Sequence, residues 1–245
     1  MIIAPDDPNL AEALLDARFA RRFLAEGDSW FSFGGWTANL LMLIDDADTL
    51  IVNCAYPGDT LASMGDDTVS RMLEPDDGIA RWDAVLISAG GNDLLSRCRQ
   101  FIVPDPEDPV DSDALMETLS DIEHDVVRLL RLCRATQPGV PVFMHTYDYP
   151  PVSRRWWWWH AGPWVAPVFR AAAVDRARWD GFAAMLIDEM AGRLHNVAAD
   201  YRELNVVETR GRLLAKDWRN EIHPSFTGYA EHAIPWRRAL ASIHP

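Results

Sequence analysis

The chain has 245 residues, of which 49% are hydrophobic and 24% are charged. This length and composition predict a soluble globular protein with one α/β core, and no window approaches the run of about 18 apolar residues that spans a membrane. The net charge of −14 disfavours nucleic acid and anionic membrane surfaces as partners.

Cysteine usage and the N-terminal segment predict the compartment. Cys54, Cys98 and Cys133 are widely spaced and form no Cys-x-x-Cys pair, so we expect reduced thiols and neither a disulfide framework nor a metal site. Residues 1–10 lack the basic stretch and long apolar run of a secretion signal. We therefore expect a cytoplasmic protein.

Helical and strand patterns alternate along the chain. Apolar spacing predicts an N-terminal arm over about residues 1–20, which includes a helical pattern at 9–19, and then a first strand that runs to about Ala25. The later strands are predicted at 50–55, 82–89, 140–146 and 205–209, and the later helices at 37–43, 60–73, 115–134, 176–194 and 228–243. Apolar strands that alternate with helices indicate a parallel sheet covered on both faces. No repeat or linker marks a second domain, so residues 1–245 are expected to form one domain.

The end of the first strand carries the first candidate functional residue. The strand leads into Gly27-Asp28-Ser29, and Trp30 opens a helix-like segment. A hydroxyl at this position lies at the carboxyl edge of the sheet, where ligands bind in open α/β folds. Backbone N–H groups at the start of the next helix would stabilise a developing negative charge there. Ser29 is therefore a candidate nucleophile, and a helix N-cap is the structural alternative.

Two further strand ends offer hydrogen-bond donors for the same edge. Acyl transfer needs a nucleophile, a base, a group that orients the base, and donors for the oxyanion. We predict that these donors are the Ser29 N–H, the Gly58 N–H and the Asn92 side-chain amide. Glycine lets the backbone approach a substrate closely, and asparagine donates without charge. The structural alternatives are a turn glycine and an Asx-turn.

Histidine supplies the candidate base. Of the seven histidines, His223 is the strongest candidate, because it stands with Pro224 in a non-helical, acidic stretch just before the last predicted helix. His145 ends a predicted strand near the same edge, and we interpret it, with Trp30, as part of the wall of the substrate pocket.

Four segments resemble, in order, the conserved blocks of the SGNH/GDSL hydrolase family: Gly27-Asp28-Ser29, residues 53–60, Gly90-Gly91-Asn92-Asp93 and His223-Pro224. The resemblance implies a flavodoxin-like three-layer αβα sandwich with a five-stranded parallel sheet. It also implies esterase, lipase or thioesterase activity, without a metal or organic cofactor. Asp28 and Asp93 are interpreted as structural supports that bond to loop backbone.

The chain departs from the family at the group that orients the base. The family usually has an aspartate three residues before the histidine, and Asn220 stands there. Asparagine can hold an imidazole but cannot offset the charge of an imidazolium. We favour Asp217, on the same loop as His223, as the orienting residue, with Asn220 and Glu221 as the alternatives.

An insert at about residues 147–168 follows the fourth strand and contains four adjacent tryptophans, Trp156, Trp157, Trp158 and Trp159. A segment that leaves the carboxyl end of a strand lies over the active-site edge. One hypothesis is an aromatic lid that shapes an apolar substrate pocket. The other is a segment that packs on itself or forms a contact in a homo-oligomer.

These residues together predict a serine hydrolase that cleaves small-molecule acyl esters or thioesters through an acyl-enzyme. An acyltransferase with the same site is one alternative. The other is a flavodoxin-like binding or scaffold module without catalytic activity.

Overall fold

A computed structural model of the chain describes residues 1–32, 38–65, 67–73, 82–105, 107–154 and 162–243. The described residues form one sheet from the strands β1 (Ile2–Ile3), β2 (Arg21–Gly27), β3 (Thr49–Asn53), β4 (Ala84–Ser88), β5 (Val142–His145) and β6 (Leu204–Val207). The strands lie in the order β1-β3-β2-β4-β5-β6, and every neighbouring pair is parallel. The predicted α/β fold with a parallel sheet is thus confirmed.

The sheet has six strands, whereas five were predicted. The additional strand, β1, lies in the segment that we interpreted as an N-terminal arm, and it pairs with the edge of β3 (Ile2 opposite Ile51, Ile3 opposite Val52). Two apolar residues are too short a run to predict a strand, and only pairing with a distant strand gives them that structure.

Helices flank the sheet. They are α1 (Leu10–Leu15), α2 (Ser29–Ser32), α3 (Leu40–Ile44), α4 (Asp67–Leu73), α5 (Gly91–Phe101), α6 (Ser112–Thr136), α7 (Ala166–Ala171), α8 (Trp179–Asp200) and α9 (Phe226–Leu240). α3 packs with α9, and α6 packs with α5 and α8, so the helices form two groups. No helix in the described part of the chain has both the length and the apolar character that crossing a bilayer requires.

The strands have continuous apolar sequences because their side chains are buried on both faces of the sheet. All five residues of β4 and the last five of β2 are buried, which explains their continuous apolar sequence. At the carboxyl ends of β2 and β4, a Cβ on Gly27 would lie 2.7 Å from the carbonyl oxygen of Ser88. Only glycine fits this contact, and it delivers the next residues to the edge of the sheet.

Helix boundaries differ from the prediction where glycine or turns intervene. α5 was not predicted, because Gly90-Gly91 was interpreted only as a strand stop. Gly90 has φ +99° and precedes the helix directly, so the chain turns from β4 into α5 without a loop. The helix predicted at 60–73 is helical only from Asp67 onward among the described residues, because 61–65 form turns.

Candidate active site

Ser29 is the first residue of α2, one residue beyond the turn that ends β2. The Asp28 N–H donates to the carbonyl of Ser88 (2.9 Å), and the Asp28 carboxylate accepts from the N–H of Trp30 (2.9 Å) and the hydroxyl of Ser88 (2.8 Å). These hydrogen bonds hold the turn between β2 and α2 to the end of β4 on one side and to α2 on the other. The predicted supporting role of Asp28 agrees with these contacts.

His223 lies against Ser29 at the carboxyl edge of the sheet. Its Nε2 is 2.8 Å from the Ser29 Oγ, although the two residues are 194 positions apart in sequence. Its Nδ1 is 3.0 Å from the Asn220 Oδ1. Asn220 Oδ1 also accepts from the backbone N–H groups of Ile222 (3.1 Å) and His223 (2.8 Å), so the oxygen of the amide faces the ring.

This arrangement determines which ring nitrogen of His223 carries the proton. An amide oxygen can only accept, so Nδ1 must donate to Asn220. Nε2 of the neutral ring then carries no proton, and its lone pair accepts the hydroxyl hydrogen of Ser29. The imidazole is thereby held in the tautomer that a general base requires.

The preference for Asp217 as the orienting residue is corrected by the structure. Its carboxylate accepts from the N–H of Leu214 (3.0 Å) and from the hydroxyl of Thr227 (3.5 Å), and no hydrogen bond between described residues joins it to His223. The loop is closed by an antiparallel bridge between Trp218 and Pro224, and Asp217 lies outside that bridge. The short segment within the bridge points Asn220 at the ring.

Burial sets the protonation state of His223. The side chain is almost fully enclosed, and this burial, with a smaller contribution from the positive charge of Arg219, lowers the pKa of His223 to about 4. The imidazole is therefore neutral at pH 7 and ready to accept a proton.

Of the three predicted oxyanion donors, Ser29 and Asn92 line one cavity, and Gly58 lines a neighbouring cleft together with Asn92, so their shared role as donors stays a prediction. The Ser29 N–H has no acceptor among the described residues. Asn92 lies at the start of α5, and its amide donates one hydrogen bond to the carbonyl of Asp59 (2.9 Å), which fixes its orientation and leaves its second N–H. Gly58 is exposed and has φ +95°, a left-handed conformation that favours glycine. The predicted supporting role of Asp93 also agrees with its contacts, since both of its carboxylate oxygens accept from the Leu61 N–H.

An apolar cavity, which we call the Ser29 cavity, opens beside the nucleophile candidate. Asn92 and Trp30 line it, as does an apolar set: Leu94, Leu95, Cys98, Val165, Ala183, Leu186, Ile187, Trp218 and Ile222. Trp30 is held in place by its indole N–H, which donates to the carbonyl of Ile222 (3.1 Å). The predicted place of Trp30 in a pocket wall agrees with this geometry.

His145 does not line the Ser29 cavity, which corrects its predicted place in the pocket wall. It is buried beneath Trp30, with ring centroids 5.2 Å apart, and its Nε2 is 2.9 Å from the Ser88 Oγ. The Ser88 hydroxyl donates to Asp28, so His145 Nε2 must donate to Ser88. A strand's last residue can point down into the core as readily as out to solvent, and position alone does not decide this.

Tyr147 completes this buried network, and its part was not predicted from the sequence. Its hydroxyl donates to Asp28 Oδ2 (2.5 Å), and its ring lines the Ser29 cavity. It adopts φ +59°, a left-handed conformation that is rare for a tyrosine and clusters at functional sites. Burial raises the pKa of Asp28 to about 6, and the Tyr147 hydrogen bond limits that rise.

The Trp-rich insert is described only at its two ends. Trp156, Trp157, Trp158 and Trp159 lie outside the described residues, so the lid and self-packing hypotheses stay predictions. At the distal end, the buried carboxylate of Glu221 accepts from the N–H groups of Val165 (2.9 Å), Ala166 (2.8 Å) and Trp164. Glu221, an alternative for orienting the base, therefore anchors the insert.

Trp164 lies in edge-to-face contact with His223, with ring centroids 5.6 Å apart. Trp164 falls within the predicted insert but was not predicted as a site residue, because no sequence pattern sets it beside His223. No group of three or more His, Cys, Asp or Glu side chains with the arrangement of a metal site occurs in the described ranges.

Comparison with known proteins places this geometry in context. Residues 7–231 match the profile of the GDSL-like lipase/acylhydrolase family. Comparison with curated proteins gives no significant match.

Several solved structures share the fold over their full length. A lipolytic G-D-S-L family protein from Veillonella parvula has a TM-score of 0.59 and 14% identity over 91% of this chain and 100% of its own. The lipase Lip_vut3 from a goat rumen metagenome has a TM-score of 0.60 and 16% identity over 89% and 97%. Est24, a carbohydrate acetylesterase from Sinorhizobium meliloti, has a TM-score of 0.56 and 14% identity over 91% and 100%.

Proposed function

This chain belongs to the GDSL-like lipase/acylhydrolase family, and on that premise we propose that it is a serine esterase that hydrolyses small apolar acyl esters or thioesters through an acyl-enzyme. The observation that carries the proposal is the contact of Ser29 Oγ with His223 Nε2 at 2.8 Å, with Asn220 on the other ring nitrogen at 3.0 Å. A serine within hydrogen-bond reach of a base that a third group orients is the arrangement of an activated nucleophile.

In the first half-reaction, Ser29 Oγ attacks the carbonyl carbon of the ester while His223 Nε2 takes the hydroxyl proton. The carbonyl π-electrons move to oxygen, and the oxyanion accepts hydrogen bonds from the Ser29 N–H, the Asn92 amide and the Gly58 N–H. The imidazolium keeps its hydrogen bond to Asn220. Collapse of the intermediate breaks the bond to the alcohol or thiol, which leaves with the proton from His223.

In the second half-reaction, water attacks the acyl-Ser29 carbonyl and gives its proton to His223. Collapse of that intermediate releases the carboxylic acid and returns the proton to Ser29. The Ser29 cavity suits the acyl group, because its wall is mainly apolar and lies directly beside the nucleophile. Loss of one oxyanion donor typically costs about 2.7–4 kcal/mol of barrier, so the Asn92→Ala enzyme should be about 10²–10³-fold slower.

The test is hydrolysis of p-nitrophenyl acetate and butyrate by the wild type and by Ser29→Ala. We expect the substitution to reduce kcat by about 10³-fold or more. Mass spectrometry after treatment with an organophosphonate should find one adduct, on the peptide that contains Ser29. Activity that survives Ser29→Ala, or an adduct on another residue, refutes the assigned nucleophile. Hydrolysis and acyl transfer are separated by adding an alcohol acceptor and measuring the yield of new ester.

A further inference from the structure

A second cleft adjoins the Ser29 cavity, and we call it the Trp164 cleft. The residues that line it are Gly58, Thr60, Asn92, Leu95, Ser96, Cys98, Arg99, Trp164 and Val168. The two clefts share Asn92, Leu95 and Cys98, so they meet at a proposed oxyanion donor. An ester whose carbonyl oxygen is held by Asn92 must send its acyl and alcohol halves in different directions from that point.

We propose that the alcohol half of the substrate lies in the Trp164 cleft, and that this cleft selects aromatic leaving groups that carry a negative charge. The inference rests on the proposed function and adds the class of alcohol that the site accepts. His223 must reach the leaving oxygen to protonate it, so the alcohol has to pass beside the imidazole. Trp164 lines this cleft and also contacts the imidazole of His223.

Trp164 is held in this position by the same loop that carries the base. The Glu221 carboxylate is fully buried and accepts from three successive backbone N–H groups, those of residues 164–166. Glu221 stands two residues before His223, so one short loop carries both the base and the anchor of the cleft wall. An indole that lines the cleft next to the base offers an aromatic alcohol a stacked or edge-to-face ring contact.

The charge preference comes from Arg99. Asn92, Ser96 and Arg99 are spaced i, i+4 and i+7 on α5, so they form one stripe that begins at the proposed oxyanion donor. Arg99 lies about 10 Å from Asn92 along the helix axis, and its long side chain can extend back toward Asn92 over part of that distance. It is the only charged side chain among the described residues that line the Trp164 cleft. In a chain of net charge −14, such a cation marks a local site for an anion.

The test uses three acetate esters of similar size: phenyl acetate, 4-carboxyphenyl acetate and 4-(trimethylammonio)phenyl acetate. For each ester, the variant's kcat/KM is divided by that of the wild type, which cancels the intrinsic reactivity of the ester. We expect Arg99→Gln to lower the preference for the carboxylate ester over phenyl acetate by about fivefold and to raise that for the ammonium ester. Arg97→Gln is the matched control, because its guanidinium is paired with Asp121, and it should leave both preferences unchanged.

A second pair of variants separates the two clefts. Trp164→Leu should lower kcat/KM for aryl esters relative to alkyl esters of the same acid and leave the preference for acyl-chain length unchanged. Leu186→Ala, in the Ser29 cavity, should change the preference for acyl-chain length and not that for the alcohol. Circular dichroism spectra and organophosphonate labelling of Ser29 confirm that each variant is folded and reactive.

The outcomes distinguish this inference from the proposed function. Loss of labelling at Ser29, or activity in Ser29→Ala, contradicts the esterase proposal itself. Normal labelling combined with equal effects of Arg99→Gln on all three esters overturns the charge preference. An effect of Trp164→Leu on acyl-chain length and not on the alcohol overturns the placement of the alcohol half.

Discussion

Replacing Asn220 with aspartate tests how the base is oriented. Asn220 Oδ1 accepts from the His223 ring at 3.0 Å, so the amide already selects the catalytic tautomer. It lacks the negative charge that would stabilise the imidazolium formed in the transition state. Asn220→Asp supplies that charge at the same position, and we expect kcat to increase.

The magnitude follows from the local geometry. A carboxylate and an imidazolium about 4 Å apart attract by about 4 kcal/mol at an effective dielectric constant of about 20. Burial of the new carboxylate opposes this gain, because the site is only 2% exposed. The N–H groups of Ile222 and His223 already point at Oδ1 and would satisfy part of the new charge. We therefore expect a net gain of about 1.4–2.8 kcal/mol, which is about tenfold to a hundredfold in kcat.

The pH dependence of kcat/KM tests the effect of the same substitution independently. His223 must be neutral to accept the Ser29 proton, so activity is lost as pH falls through its pKa of about 4. A carboxylate beside the ring stabilises the imidazolium and raises that pKa. The acid limb of kcat/KM should therefore move to higher pH in Asn220→Asp, while the plateau rises.

The assay is steady-state hydrolysis of p-nitrophenyl butyrate from about pH 3 to about pH 9, a range that includes the acid limb of the wild type. Asp217→Asn is the matched control, because the Asp217 carboxylate binds the Leu214 N–H and the Thr227 hydroxyl and should leave the acid limb in place. The reasoning is refuted if Asn220→Asp folds normally but leaves both the plateau and the acid limb unchanged. A shift of the acid limb in Asp217→Asn would instead identify Asp217, which the sequence favoured, as the residue that orients His223.

Three further substitutions test other parts of the structure. Arg219→Gln removes a positive charge that lowers the pKa of His223, so the acid limb of kcat/KM should move to higher pH. Tyr147→Phe removes the hydroxyl that donates to the buried Asp28 carboxylate, and urea denaturation should show a free energy of unfolding lower by about 1–3 kcal/mol. Glu221→Gln weakens the acceptor of three backbone N–H groups, and the variant should lose about 1–3 kcal/mol and melt at a lower temperature in a calorimetric scan.

Two exposed residues of the same types serve as matched controls for the two stability predictions. Tyr56 is 69% exposed, so Tyr56→Phe should change the free energy of unfolding by less than about 0.5 kcal/mol. Glu12 is exposed on α1, and Glu12→Gln should be equally neutral. If these controls cost as much as Tyr147→Phe or Glu221→Gln, the buried hydrogen bonds do not carry the stability assigned to them.

The sequence by itself determined the class of fold and the location of the site. Apolar runs and helical spacing are local signals, because a strand or helix shows its buried face within a few residues. In a parallel sheet, all carboxyl ends share one edge, so the order of elements was enough to bring Ser29, Asn92 and the loop of His223 together.

Only the tertiary structure decided which side chains meet at that edge. Asn220 and Asp217 are both near His223 in sequence, but the bridge between Trp218 and Pro224 turns Asn220 toward the ring and leaves Asp217 outside. The same limit applies to His145, which lies at a strand end and yet points into the core. In loops and at strand ends no repeating pattern sets the direction of a side chain, and contacts between distant segments decide it.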